Sequence, residues 1–129
     1  MIRPAFVQDC VYFRPNSTTS MGASKAELFS DQQNELAQLT RALAHPARIA
    51  ILQHLLRVNA CISNELVMEL PLAQPTISRH LSELKEVGLI KGTISGNRVN
   101  YCIDAQRWQE VRQLFHAFFG IDPDPQSCC

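Results

Sequence analysis

Residues 74–90 read QPTISRHLSELKEVGLI. A proline sits second. Thr76, Ser78, Arg79 and His80 crowd the first two turns, and Ile77, Leu81 and Leu84 recur at spacings of three and four. That period predicts a helix with one apolar face, which Val87 extends, closed by Gly88. The polar cluster therefore falls on the outward face at the N-terminal end of the helix. Gln74 and Arg79 are the side-chain types that pair bidentately with adenine and guanine edges. Thr76 and Ser78 suit phosphates or base edges, and a helix N-terminus itself favours an anion. A solvated surface helix would show the same pattern, so the flanks have to decide.

On the C-terminal side the period switches from helix to strand. Residues 89–94 and 98–103 flank Ser95-Gly96-Asn97, the signature of a hairpin with glycine at its turn. Val99, Tyr101 and Ile103 fall on one face of the second strand, with Arg98, Asn100 and Cys102 on the other. Asp104 is placed to cap a following helix carrying Trp108, Val111, Leu114, Phe115, Phe118 and Phe119, which Gly120 ends. On the N-terminal side, Ser63 is read as the cap of a short helix stopped by Pro71. Before it, Pro46 opens a helix read as almost entirely buried (Ile49, Leu52, Leu55, Leu56), and Leu36, Leu39 and Leu43 mark a first helix from Ser30. The expected fold is mainly α with a small β-hairpin wing: a winged helix-turn-helix in the order ααααββα. Residues 25–120 form the domain, with flexible tails at 1–24 and 121–129. Met21 is an alternative start.

In such a fold the second helix of the pair enters the major groove, N-terminal end first. Local charge agrees. Lys plus Arg and Asp plus Glu number 12 each over the chain, yet residues 74–98 hold four cations (Arg79, Lys85, Lys91, Arg98) against two anions (Glu83, Glu86), leaving +2. The expected DNA contacts are Gln74, Thr76, Ser78, Arg79, His80, Lys85 and Lys91, with Asn97 and Arg98 at the wing tip.

The segments RALAHPARIAILQHLL, ISNELVMELPLAQPTISRHLSELKEVGLIKG and GNRVNYCID together resemble the ArsR/SmtB family of bacterial metal-responsive repressors, over roughly residues 35–119. The resemblance implies a cytoplasmic homodimer built through its first and last helices, which leaves double-stranded operator DNA when an inducer binds. The family's Cys-x-Cys arsenic site falls on Ile62 and Asn64, so that site is missing. Of its zinc site only Asp104 matches; Gln106, Ala117 and Gly120 replace the other ligands. One further departure is Ala73, where a serine cap is common.

Five cysteines remain: Cys10, Cys61, Cys102, Cys128 and Cys129. Without a secretory signal or membrane span they are read as reduced cytosolic thiols. Cys61 is read as a small apolar filler. Cys128 and Cys129, with Cys102, Cys61 or Cys10 as third donor, are the candidate ligands for a soft metal ion or arsenite acting as inducer; no resident cofactor is expected. A thiol-redox-responsive repressor of the same fold and a winged-helix protein-interaction module are the alternatives. Nothing in the chain has the spacing of an enzyme's nucleophile and base, of a phosphate loop or of a His-Glu-x-x-His metal site, so no catalysis is expected.

Overall fold

The computed structural model describes residues 25–63 and 70–126. A 3-10 turn at Lys25–Leu28 leads into α1 (Asp31–Leu43), α2 (Pro46–Val58), β1 (Ile62–Ser63), α3 (Gln74–Glu86), β2 (Ile90–Ser95), β3 (Arg98–Ile103) and α4 (Ala105–Phe119). The short helix expected between Ser63 and Pro71 falls mostly on residues 64–69, outside the described residues, as do Cys10, Cys128 and Cys129.

Each helix starts and stops for a local reason. Ser30 and Gln33 form a capping box on α1: the Gln33 amide donates to Ser30 Oγ at 3.2 Å, and the Ser30 amide to Gln33 Oε1 at 2.9 Å. His45 caps α2 by accepting from the Ala47 amide at Nδ1 (3.1 Å), with Pro46 in the first turn. Asn59 ends α2 in the left-handed region at φ 50°. Asp104 caps α4 through the Arg107 amide at 3.0 Å.

The end of α3 sets where the wing begins. The Leu89 amide donates to the Leu84 carbonyl (3.2 Å) and the Gly88 amide to the Lys85 carbonyl (3.0 Å), with Gly88 at φ +79°. This is the Schellman arrangement, and Leu84 and Leu89, both fully buried, supply its apolar contact. The chain is thereby turned directly from the recognition-type helix into β2.

The sheet has three strands rather than the two expected, in the order β1-β3-β2, all antiparallel. Ile62 pairs with Tyr101 and Ser63 with Asn100. Ser63 is thus a strand residue at the edge of β3. Two residues are too few to show a strand period, which is why β1 was not visible in the sequence. β2 and β3 pair from Ile90↔Ile103 to Ser95↔Arg98 around a turn at Gly96 (φ +61°) and Asn97.

The core gathers Leu39, Ile51, Leu52, Leu55, Ile62, Ile77, Leu81, Leu84, Leu89, Ile90 and Val111, with Tyr101, Trp108 and Phe115 packed at its margin. The expectation that α2 is nearly all buried is corrected. Ile51, Leu52 and Leu55 are inside, but Ile49, Leu56 and Val58 are 38–44% exposed, because only one face of α2 meets the rest of the chain. Arg107 braces the fold from α4. It pairs with Glu35 of α1 at 2.7 Å and Glu110 at 3.2 Å, and its Nε donates to the Val87 carbonyl at 3.4 Å. Among the described residues no helix is long and apolar enough to cross a membrane.

Candidate nucleic-acid interface

The inner face of α3 is fixed by Ile77, Leu81 and Leu84, each wholly buried. Three such residues over two turns leave little rotational freedom, so the opposite face is defined by the same packing. Thr76, Ser78, Arg79, Ser82 and Lys85 are exposed there. The helix begins without a side-chain cap: Ala73 makes no side-chain hydrogen bond, although its carbonyl accepts from the Thr76 and Ile77 amides at 3.0 and 3.1 Å. The positive end of the helix dipole lies beside the exposed Thr76. Gln74 is half-buried, and its Oε1 has no hydrogen-bond partner among the described residues.

The wing projects beside this face. Asn97 and Arg98 are exposed at its tip, and Ile94 stands 79% exposed next to them. Lys91 is exposed too, but at the base of the wing, where it pairs with Cys102. Gly92 leaves room for the Lys85 ammonium, which lies 3.6 Å from where a Cβ would stand.

Two expectations are corrected here. His80 is not on the outer face: it is 8% exposed, its ring 4.3 Å from that of His45 at the start of α2. At three residues past Ile77 and one before Leu81 it falls on the flank of the apolar stripe, and the α2 N-terminus covers it. Burial first, then the electrostatic influence of His45, Arg48 and Arg79, holds its pKa below the ordinary 6.5, against an opposing pull from Glu83. Cys102 is not a free soft-metal donor, and Cys61 is not an apolar filler. Their sulfurs form a disulfide across β1 and β3, with Cα atoms 4.4 Å apart. Cys102 is 7% exposed, while Cys61 is exposed. The reading of these two thiols as reduced is corrected by the same bond.

Sequence reasoning missed Arg48 and His45. Arg48 Nη1 reaches Glu83 Oε2 on α3 at 3.3 Å, and with His45, Thr76, Arg79 and His80 it lines a cleft between α2 and the first turns of α3. No spacing rule links residues 35 apart. The one available signal was a cation two residues after Pro46, in the first turn of α2. No group of three or more His, Cys, Asp or Glu side chains able to hold a metal ion occurs among the described residues.

A helix packed against a three-stranded sheet, its outer face polar and its wing alongside, defines a winged helix-turn-helix protein. The family model described as bacterial regulatory protein, arsR family, matches residues 45–91. The chain is 35% identical over 98 residues to the HTH-type transcriptional regulator CmtR of Mycobacterium tuberculosis, covering 75% of this chain and 81% of that one. It is 29% identical over 104 residues to a probable mercury resistance operon repressor of Streptomyces lividans, covering 81% and 82%. Its fold matches the homodimeric winged helix-turn-helix domain of a possible ArsR-family regulator from Mycobacterium bovis at a TM-score of 0.56 and 25% identity, covering 77% of this chain and 86% of that one. The chain belongs to the ArsR family of bacterial transcriptional regulators, DNA-binding proteins and not enzymes.

Proposed function

We propose that this regulator is a homodimeric repressor that places the N-terminal half of α3 in the major groove of its operator and leaves that DNA when an inducer binds. The observation that carries the reading is the split of α3: Ile77, Leu81 and Leu84 wholly buried, Thr76, Ser78 and Arg79 exposed on the opposite side. Arg79 is assigned to a guanine edge and Gln74 to an adenine edge, with Thr76 and Ser78 on phosphates or base edges. Asn97 and Arg98 are assigned to the adjacent minor groove or its phosphates, and Lys85 and Lys91 to the general pull of the phosphate backbone. His80 has no assigned DNA contact.

Dimerisation through the chain's two ends is supported by the apolar side chains left open there: Leu28 71%, Phe29 52%, Phe118 59%, Phe119 70% and Ile121 79% exposed. So many large apolar groups in solvent mark an interaction surface, and the M. bovis domain with the same fold is homodimeric. For the inducer we assign a soft, thiophilic metal or metalloid. The reasons are the vicinal thiols Cys128 and Cys129 and the similarity to a mercury resistance operon repressor.

The test is a gel shift of the full-length protein on the DNA upstream of its own coding sequence, with and without arsenite, mercuric, zinc, cadmium and cuprous ions. Binding in their absence and release by at least one is expected. Binding that persists with every ion saturating removes the metal inducer, and absence of binding at low salt removes the repressor reading.

A further inference from the structure

Cys61, the residue before β1, stands in a row with Cys102 of β3 and Lys91 of β2. Ile62 pairs with Tyr101, which brings Cys61 opposite Cys102, and Cys102 pairs in turn with Lys91. Directly opposed residues in antiparallel strands share a face of the sheet. All three line one cavity of about 520 Å3, walled by Leu55 and Leu56 of α2 and Trp108 of α4. The two cysteines differ sharply in exposure: Cys61 is exposed and Cys102 is 7% exposed.

We propose that this disulfide is a thiol-exchange site for a small, carboxylate-bearing thiol, and that its state sets how firmly the wing is held beside α3. The incoming thiolate enters the cavity with its carboxylate drawn to the Lys91 ammonium and attacks Sγ of Cys61, the more exposed of the two cysteines. A bond forms between the two sulfurs, the Cys61–Cys102 bond breaks, and its electron pair leaves on Cys102 as a thiolate. Burial disfavours that thiolate, and the Lys91 charge across the ladder offsets the penalty. A second small thiolate then attacks the mixed disulfide on its outer sulfur. Cys61 is released as a thiolate, and both protein thiolates take up the protons lost by the two small thiols. The protein gains two electrons, and the two small thiols become one small-molecule disulfide. Exchange with an oxidised small disulfide runs the same steps backwards.

The consequence follows from the size of β1. A strand of two residues is a marginal ladder without help. The covalent link holds the end of α2 and β1 onto β3, whose other end carries Arg98 at the wing tip. With the link cut, the wing and the helix pair are less rigidly spaced, and DNA has more to order on binding. The disulfide form is therefore the tighter binder. This step rests on the repressor reading above, but the exchange chemistry does not.

The test uses full-length protein with Cys10, Cys128 and Cys129 replaced by serine. Oxidised protein is mixed with reduced glutathione at neutral pH, quenched in acid and mapped by mass spectrometry. Glutathione on Cys61, with Cys102 free, is expected. Glutathione on Cys102, or no exchange when the same protein in urea exchanges fully, overturns the site. Lys91→Met is expected to slow the first step about threefold; an unchanged rate overturns its role in receiving the thiol and stabilising the leaving sulfur. Gel shifts on the upstream DNA then compare the two states, with Cys61→Ser/Cys102→Ser as a permanently unlinked control whose fold is checked by circular dichroism. At least threefold weaker binding by the reduced protein and by the control is expected. Equal or tighter binding overturns the switch, whereas absence of DNA binding in both states strikes the repressor reading and leaves the exchange result standing.

Discussion

Arg79 and His80 are neighbours in sequence with opposite fates in the fold. The α-helical rotation of about 100° between them carries one to solvent and the other against His45. Their substitutions should therefore fail differently. Arg79→Ala is expected to leave stability nearly unchanged and to weaken operator binding by about 1–3 kcal/mol, with relaxed preference at one base pair, read by competition gel shifts on single-base operator variants. His80→Ala is expected to lower stability by about 1–3 kcal/mol through a lost buried ring, measured by urea unfolding, and any loss of binding should follow the loss of folded protein. The depressed pKa of His80 also fixes a sign. Folded protein resists protonating this ring, held neutral by burial and by His45, Arg48 and Arg79, whereas the unfolded chain takes the proton near the ordinary 6.5. Below that pH the unfolded state binds more protons, so stability falls as pH falls. Urea midpoints at pH 7.5 and 5.5 should show this fall, and His80→Gln should flatten it.

At the scale of elements, the turn from α3 into the wing depends on one glycine. Gly88 sits at φ +79°, and a Cβ there would stand 3.4 Å from Arg107 Cγ. Gly88→Ala is expected to cost about 1–2 kcal/mol, chiefly from the left-handed backbone, as a lowered urea midpoint with unchanged slope. Arg107→Ala cuts a half-buried side chain loose from Glu35, Glu110 and the Val87 carbonyl, and should cost a similar amount. Gly88 was legible from the sequence because a glycine after an apolar period is a strong stop. The stripes of α1, α3 and α4, the Asp104 cap and the hairpin were legible for the same kind of reason: each is written in neighbouring residues. Arg48 against Glu83, His45 against His80 and the Cys61–Cys102 bond were not, since each joins elements whose packing no local period encodes. The same blindness put His80 on the DNA face. Its helical position lies at the border of the stripe, and only the covering α2 N-terminus decides which side it joins.

For the whole molecule, formal charge is zero while residues 74–98 carry a net +2, so attraction to DNA is local to one face. Binding should weaken with salt as a few phosphate contacts require, not as for a uniformly basic protein. Two copies related by a two-fold axis would present two α3 helices to successive turns of the duplex, about 10–10.5 base pairs apart centre to centre, so an inverted repeat is expected upstream of the gene. The most direct test of the central claim, that the N-terminal half of α3 reads the major groove, is methylation interference on that DNA with wild-type protein and Arg79→Ala in parallel. The account predicts that methylating N7 of a guanine in each half-site blocks wild-type binding, and that Arg79→Ala, binding more weakly, no longer distinguishes that guanine. Wild-type binding indifferent to N7 methylation, or an Arg79→Ala protein with the wild-type affinity and interference pattern, would contradict it.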